Sequence, residues 1–215
     1  MFWWLFLLCP LAYLIGGINT ARNITKAQHV DLSTVGSGNS GATNVGRAMG
    51  FKWFLLVTLL DVFKGAGISL IGYLSCSWYL GDFRYTQTHF IVLLAMGLAA
   101  IVGSIFPVWY KFKGGKGIAT WIGIGCFLNP LAILLDIVIF VPLLMLTRLM
   151  SLSTLLGVIL WAVISLTPAS WIFQAPLVPT VIVLYCCIVA LILFSHRKNV
   201  VRLLTGTEKK LVFKK

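Results

Sequence analysis

The sequence predicts an all-α polytopic membrane protein of about seven transmembrane helices, with the N-terminus out and the C-terminus in. Three observations predict it. Of 215 residues, 60% are hydrophobic and only 10% are Asp, Glu, Lys or Arg, too few charges to cover a water-soluble domain of this size. The apolar residues fall in long runs, several reaching the ~17 to 25 residues that cross ~30 Å of hydrocarbon as a helix. The basic residues cluster after alternate runs, the asymmetry that orients membrane proteins.

The runs justify themselves in order. Phe2 to Ile18 lacks the basic start and the small-residue cleavage pattern of a signal peptide, so it is expected to stay as the first span. Arg22, Lys26 and Arg47 follow it. Phe51 to Leu74 is the second, and its following loop carries only Asp82 and Arg84. Phe90 to Trp109 is the third, followed by Lys111, Lys113 and Lys116. Ile118 to Leu128 and Leu131 to Leu146 are separated by Asn129-Pro130, which makes either one kinked span or two short helices. Leu152 to Leu166 and Leu177 to Phe194 complete the set, joined by the uncharged loop Thr167 to Pro176. A single crossing of 118–146 would put the very basic tail outside. Two crossings bring Arg148 and the tail inside, so seven helices are preferred, with five full crossings plus a short re-entrant pair as the variant. Residues 1–215 then form a single integral-membrane domain whose residues 196–215 are a basic cytoplasmic tail.

The charges are lopsided. With 17 Lys and Arg against 5 Asp and Glu the net charge is +12, which points to anionic partners such as phospholipid headgroups and phosphorylated metabolites. Nucleic acid is excluded because the aromatic residues lie in apolar runs instead of being interleaved with cations on a polar face. Five Cys, an odd count, show no disulfide framework, and no metal site or cofactor is expected.

The polar residues gather in three stretches. The first, Val35 to Arg47, holds Gly36, Gly38, Gly41 and Gly46 among Ser37, Asn39, Ser40, Thr43 and Asn44. Its backbone can reach positive φ and present N–H groups, with side chains adding donors and acceptors. The second puts Gly114, Gly115, Lys116 and Gly117 just before an apolar helix, where unpaired N–H groups, the positive end of the helix dipole and a Lys converge as a phosphate site. It lacks the spacing of a nucleotide P-loop. In the third, His196, Asn199 and Arg202 or Leu203 share one helical face, with Glu208 beyond. Asp61 and Lys64, three apart in the second run, form either a structural ion pair or a phosphate-facing Lys64 oriented by Asp61. Asp136 has no partner that can be named.

In this order the three stretches closely resemble the motifs of the bacterial acyl phosphate:glycerol-3-phosphate acyltransferases. The likeness extends through Leu60 to Gly65 and Arg148 to Ser153 and covers nearly the whole chain. The resemblance implies an inner-membrane enzyme, its active site facing the cytoplasm, that passes an acyl group from acyl phosphate to glycerol 3-phosphate. The products are lysophosphatidic acid and phosphate, and neither acyl-CoA nor acyl carrier protein is used. Its partners would be those substrates, membrane lipids and the acyl-phosphate-producing enzyme. The resemblance assigns catalytic roles to Ser37, Arg47, Lys116, His196 and Asn199. It assigns phosphate binding to Gly114, Gly115 and Gly117 and a structural role to Glu208; our own reading of the polar residues adds Gly36, Gly38, Asn39, Asn44, Lys64 and Ser151 as substrate- or phosphate-binding and Asp61 as structural. Two positions depart from the family pattern: Ser33 where Arg is common and Ser104 where His is common.

The chemistry suits these residues. Acyl phosphate is a mixed anhydride with a good leaving group, so the work is to position two phosphate-bearing molecules and neutralise their charge. No His is followed five residues on by Asp, the usual signature of the acyl-CoA-dependent glycerolipid enzymes. A substrate phosphate is the favoured base and His196 the competing one. A small anion transporter would need inverted repeats, and none is visible. A metal-dependent phosphatidyl-alcohol synthase would need clustered carboxylates, but Asp31, Asp61, Asp82 and Asp136 are scattered.

Overall fold

The computed structural model describes residues 3–84, 86–166 and 178–214. The loop 167–176 and the run starts at Phe2 and Leu177 lie outside the described residues. All regular structure among those residues is helical: α1 (Leu8–Gly16), α2 (Thr20–Ala27), α3 (Ala42–Met49), α4 (Phe51–Leu80), α5 (Gln87–Ile105), α6 (Ile118–Leu128), α7 (Pro130–Thr147), α8 (Met150–Leu166), α9 (Pro179–Ser195) and α10 (Arg197–Leu204).

Among the described residues, four stretches are long and apolar enough to cross a membrane: Leu5–Ala27, Phe51–Leu80, Gln87–Tyr110 and Pro130–Thr147. The count becomes five if α9 and α10, bent by 61° at His196, form one span. Helices α6 and α8 are apolar but shorter, 11 and 17 residues, or roughly 16 and 25 Å at 1.5 Å per residue. The outward faces are greasy, with Trp78 81% and Leu146 85% exposed, as suits a surface solvated by lipid. The chain is an integral membrane protein.

The Asn129-Pro130 ambiguity resolves into two helices. Asn129 leaves helical geometry (φ −157°, ψ 83°) and its side chain accepts from the Ala132 amide, capping α7. Pro130 takes the first position of α7, where a missing N–H costs nothing. Both ends of 118–147 lie at the same end of the bundle, because Ile118 and Met150 line one cavity there and the Leu211 amide donates to the Arg148 carbonyl. The segment therefore runs out and back.

Close helix approach is bought by small residues. On α1 and α5, a Cβ at Gly16 would overlap the Ala100 carbonyl and one at Gly103 the Tyr13 carbonyl. On α4 and α6 the same reciprocity pairs Gly65 with Thr120 and Gly123 with Val62. These crossings tie α1 to α5 and α4 to α6. Behind them Trp121, Trp161 and Tyr185 stack from α6, α8 and α9, with Trp121 and Trp161 edge to face at 4.3 Å.

Candidate active site

All three polar stretches meet at one end of the bundle, around a cavity of about 590 Å³. The first contributes Ser37, Asn39, Asn44 and Arg47 to its wall, the second Gly115, Lys116 and Gly117, the third His196, Asn199 and Glu208. Asp61, Lys64 and Ser151 also line it.

Two helices point their N-termini at this cavity. Gly41, Ala42 and Thr43 begin α3, Gly117, Ile118 and Ala119 begin α6, and all six line the wall. Neither helix has a side-chain cap. Their first amides and the positive dipole ends therefore remain available to anions. Gly117 reaches the turn into α6 at φ +76°, which a side chain would resist.

This geometry corrects the expected phosphate loop. The amides of Gly114 and Gly115 are spent, donating to the carbonyls of Ile105 (3.0 Å) and Ser104 (2.9 Å). Gly114 does not reach the wall, and a Cβ there would overlap the Ser104 carbonyl. The amides that front the cavity here belong to α6's first turn. Gly36 and Gly38 also lie off the wall, serving left-handed turns at φ +56° and +69°. Asn44 secures that turn. It donates to the Leu32 carbonyl (3.1 Å) and accepts from the Ser37 amide (3.2 Å), which leaves the Ser37 hydroxyl for the cavity.

Lys64 is not free to bind phosphate. Its ammonium donates to Asp61 Oδ1 (2.8 Å) and to the carbonyls of Gly16 (3.3 Å) and Ile18 (3.0 Å), which uses all three protons. Thr20 donates to the same Asp61 oxygen at 2.7 Å. The pair cements α4 to the α1–α2 junction, the structural alternative of the sequence reading. Ser104 has a similar task, donating to the Gly16 carbonyl and meeting Thr120 Oγ1 at 3.2 Å, while Ser33 sits away from the wall.

The tail folds back over the first stretch. Arg47 Nη2 donates to the Lys209 carbonyl (3.0 Å) and Lys209 Nζ to the Gly36 carbonyl (2.6 Å). Phe213 packs on Phe51 and Phe54. At its root Glu208 accepts from Ser151 (2.7 Å), Asn199 (2.7 Å) and Arg202 (2.7 Å), tying α8, α10 and the tail together. Burial works to raise its pKa, but these bonds outweigh burial and hold it below the ordinary carboxylate value. Ser151 and Asn199 therefore act first as partners of Glu208. Glu208→Gln is expected to leave Arg202 short of a counter-charge and cost about 3 kcal/mol, the lower end for a broken buried pair. The check is a thermal unfolding midpoint lowered by several degrees with the glycerol 3-phosphate KM changed less than twofold. An unchanged midpoint would remove Glu208 from the scaffold.

Lys116 is different, since its ammonium has no acceptor in the protein among the described residues. Burial lowers its pKa to about 8, with nearby Glu208 working the other way. His196, 2% exposed, directs Nδ1 at the Ile192 carbonyl at 2.9 Å. A carbonyl only accepts, so Nδ1 carries the proton and Nε2 keeps a lone pair. Burial, then Lys116, lowers the His196 pKa to about 4, so the ring is neutral at physiological pH.

The expected site left out Asn19 and Thr120 and named Ser40 only among the first stretch's polar side chains, yet all three line the wall. Asn19 had a legible signal, an N-cap before Thr-Ala-Arg. Its oxygen accepts from the Arg22 amide and its amide nitrogen donates to Ser40. Below the polar end the cavity continues as an apolar arm past Phe54, Leu55, Val62, Ile137, Phe140 and Val141. Leu55, Ile137 and Val141 are themselves exposed, so the arm opens sideways toward lipid. A cationic, amide-rich head above an apolar arm can hold an amphipathic anion beside a second, polar anion.

Residues 6–206 match the family described as glycerol-3-phosphate acyltransferase. Among similar proteins, the glycerol-3-phosphate acyltransferase of a Thermoanaerobacter strain is 38% identical over 203 residues, covering 94% of this chain and 92% of that protein. That of Aquifex aeolicus is 37% identical over 200 residues, covering 92% and 94%. The fold is similar to the crystal structure of PlsY, an integral membrane glycerol 3-phosphate acyltransferase, in its glycerol 3-phosphate form. The TM-score is 0.82 at 35% identity, over 97% of this chain and 96% of that one. The lysophosphatidic acid form of PlsY gives 0.80 at 34%, over 96% and 94%.

Proposed function

The chain belongs to the glycerol-3-phosphate acyltransferase family, and from that premise we propose that it transfers a fatty acyl group from acyl phosphate to glycerol 3-phosphate. The observation that carries the donor assignment is the cavity itself. Two uncapped helix N-termini, Lys116 and Arg47 face one space, while Asp61 and Glu208 are already committed to Lys64 and Arg202. The polar end of such a site neutralises phosphate and offers no unpaired carboxylate to drive a poorer leaving group, since Asp136 stands apart in the apolar arm.

In the reaction the glycerol hydroxyl oxygen attacks the acyl carbonyl, the carbonyl carbon to phosphate-oxygen bond breaks, and inorganic phosphate leaves. The hydroxyl proton passes to a phosphate oxygen. His196 Nε2 accepts a hydrogen bond from the neighbouring hydroxyl of glycerol 3-phosphate, which orients the attacking one and leaves its proton for the phosphate oxygen. The amides of α6 and α3, with Lys116 and Arg47, hold the two phosphates, and Ser37 and Asn39 face the reacting carbonyl. The test is an assay of purified protein with acyl phosphate, acyl-CoA and acyl carrier protein donors in parallel. Equal or better turnover with either of the last two would overturn the donor assignment.

The same reading places the site at the cytoplasmic face of a bacterial inner membrane, with seven helices, the N-terminus outside and the basic tail inside. It allows delivery of acyl phosphate by the enzyme that makes it. Single cysteines replacing exposed Lys113, Arg148 and Lys198 are expected to resist a membrane-impermeant thiol reagent in intact spheroplasts, while Arg84→Cys reacts. Reaction at Lys113→Cys with protection at Lys198→Cys would put the stretches on opposite sides and break the single-site reading.

A further inference from the structure

The apolar arm contains two polar groups that the acyl-transfer chemistry does not use. Asp136 on α7 and Trp161 on α8 both line the cavity. Asp136 Oδ1 and Trp161 Nε1 are buried and have no hydrogen-bond partner among the described residues. Trp161 is 1% exposed, its ring held between Trp121 and Tyr185. The Asp136 carboxyl is seated over Gly157, where any Cβ would overlap Oδ1. Thr154 and Trp161 flank Gly157 by one turn on either side, so one face of α8 carries a hydroxyl, a glycine cradle holding the carboxyl, and the indole N–H. Trp161 Nε1 lies 3.4 Å from where a Cβ on Gly125 would stand, next to Ile133, one turn before Asp136.

A buried acceptor and a buried donor left unpaired in the wall of an apolar channel each cost free energy, and each has almost no surface open to the channel, so a ligand reaches it only by displacing the side chains that cover it. An intramembrane carboxyl with that cost needs a use. A methylene chain laid across them recovers nothing. The group that satisfies both is one that donates and accepts at a single atom. We propose that Asp136 and Trp161 form a seat for a hydroxyl carried part-way along the acyl chain of the substrate, so that this protein prefers hydroxylated over plain acyl donors. The hydroxyl donates to Asp136 Oδ1 and accepts from Trp161 Nε1. Gly157 lies six residues from Ser151 at the polar end, roughly 9 Å along α8, which places the seat at mid-chain. The inference rests on the acyl-transfer reading above.

The test compares two acyl phosphates of equal length, one plain and one with a mid-chain hydroxyl. Wild type is expected to show kcat/KM about tenfold higher for the hydroxylated donor, the equivalent of one hydrogen bond of ~1.4 kcal/mol. Asp136→Leu should reverse that ratio and Trp161→Phe reduce it, while Asp136→Asn, which keeps an acceptor oxygen, should preserve it. Binding is read separately as the rise in unfolding midpoint caused by hydroxylated and plain lysophosphatidic acid. Equal ratios in wild type, or a preference that survives in Asp136→Leu and Trp161→Phe, would overturn the seat and leave it to a resident water. If neither acyl phosphate is turned over but hydroxylated lysophosphatidic acid still stabilises selectively, the function reading fails and the seat stands.

Discussion

Lys116→Met is expected to lower kcat/KM for glycerol 3-phosphate by about 10² to 10³, the range for removing one preorganised charge-stabilising donor. The reason is its isolation. Arg47 is engaged with the tail, Lys64 with Asp61 and two carbonyls, and Arg202 with Glu208, whereas Lys116 lines the cavity and its ammonium has no acceptor among the described residues. Burial lowers its pKa to about 8, so in the free enzyme the cation is lost as pH rises through that value. The glycerol 3-phosphate KM should therefore climb above pH 8 in wild type. Lys116→Arg, charged at every accessible pH, should flatten that limb even if its geometry costs rate. Stability runs the other way. The unfolded lysine, with its ordinary value of 10.5, binds the proton that the folded one has released, so stability rises with pH between about 8 and 10.5. Lys116→Met should lack that rise. A Lys116→Met enzyme with wild-type KM and an intact alkaline limb would remove the residue from the phosphate site.

His196→Gln carries the second large effect, and its pH profile separates two roles. If His196 only orients the hydroxyl, the loss is up to about 10²-fold, the cost of imperfect positioning. If it is the base, the loss extends toward 10⁴. The acid limb decides. A substrate phosphate titrates near its second pKa, about 6, whereas burial has lowered His196 to about 4. We expect the wild-type limb near 6 to persist in His196→Gln. A wild-type limb near 4 that vanishes in the variant would make the imidazole the base. The same lowered value makes folding pH-dependent. The unfolded histidine takes a proton near 6.5, so stability is full above that pH and falls on acidification toward 4. His196→Gln should lose that part of the acid sensitivity.

Composition and hydropathy were enough to read an all-helical membrane protein, and the resemblance of the three stretches grouped Ser37, Arg47, Lys116, His196 and Asn199, which line one cavity. The reason is that both signals are local. Hydrocarbon length and side-chain solvation act on contiguous residues, and glycine runs beside a helix start announce free amides. What depends on pairing across the chain was not legible. Arg47 meets a carbonyl 162 residues away and Lys209 one 173 residues away, so no spacing announced that the tail closes over the first stretch. Nothing local distinguished a phosphate-facing Lys64 from one whose three protons end on Asp61, Gly16 and Ile18. The glycine run named the right loop but not the right amides, because the residues that consume Gly114 and Gly115 belong to the end of α5. Asp136, unplaceable from sequence, acquires a setting only because Gly157 on another helix lacks a side chain. A donor's free energy depends on which acceptor the fold brings within 3 Å of it, and that is settled by helix packing rather than by neighbours in the chain.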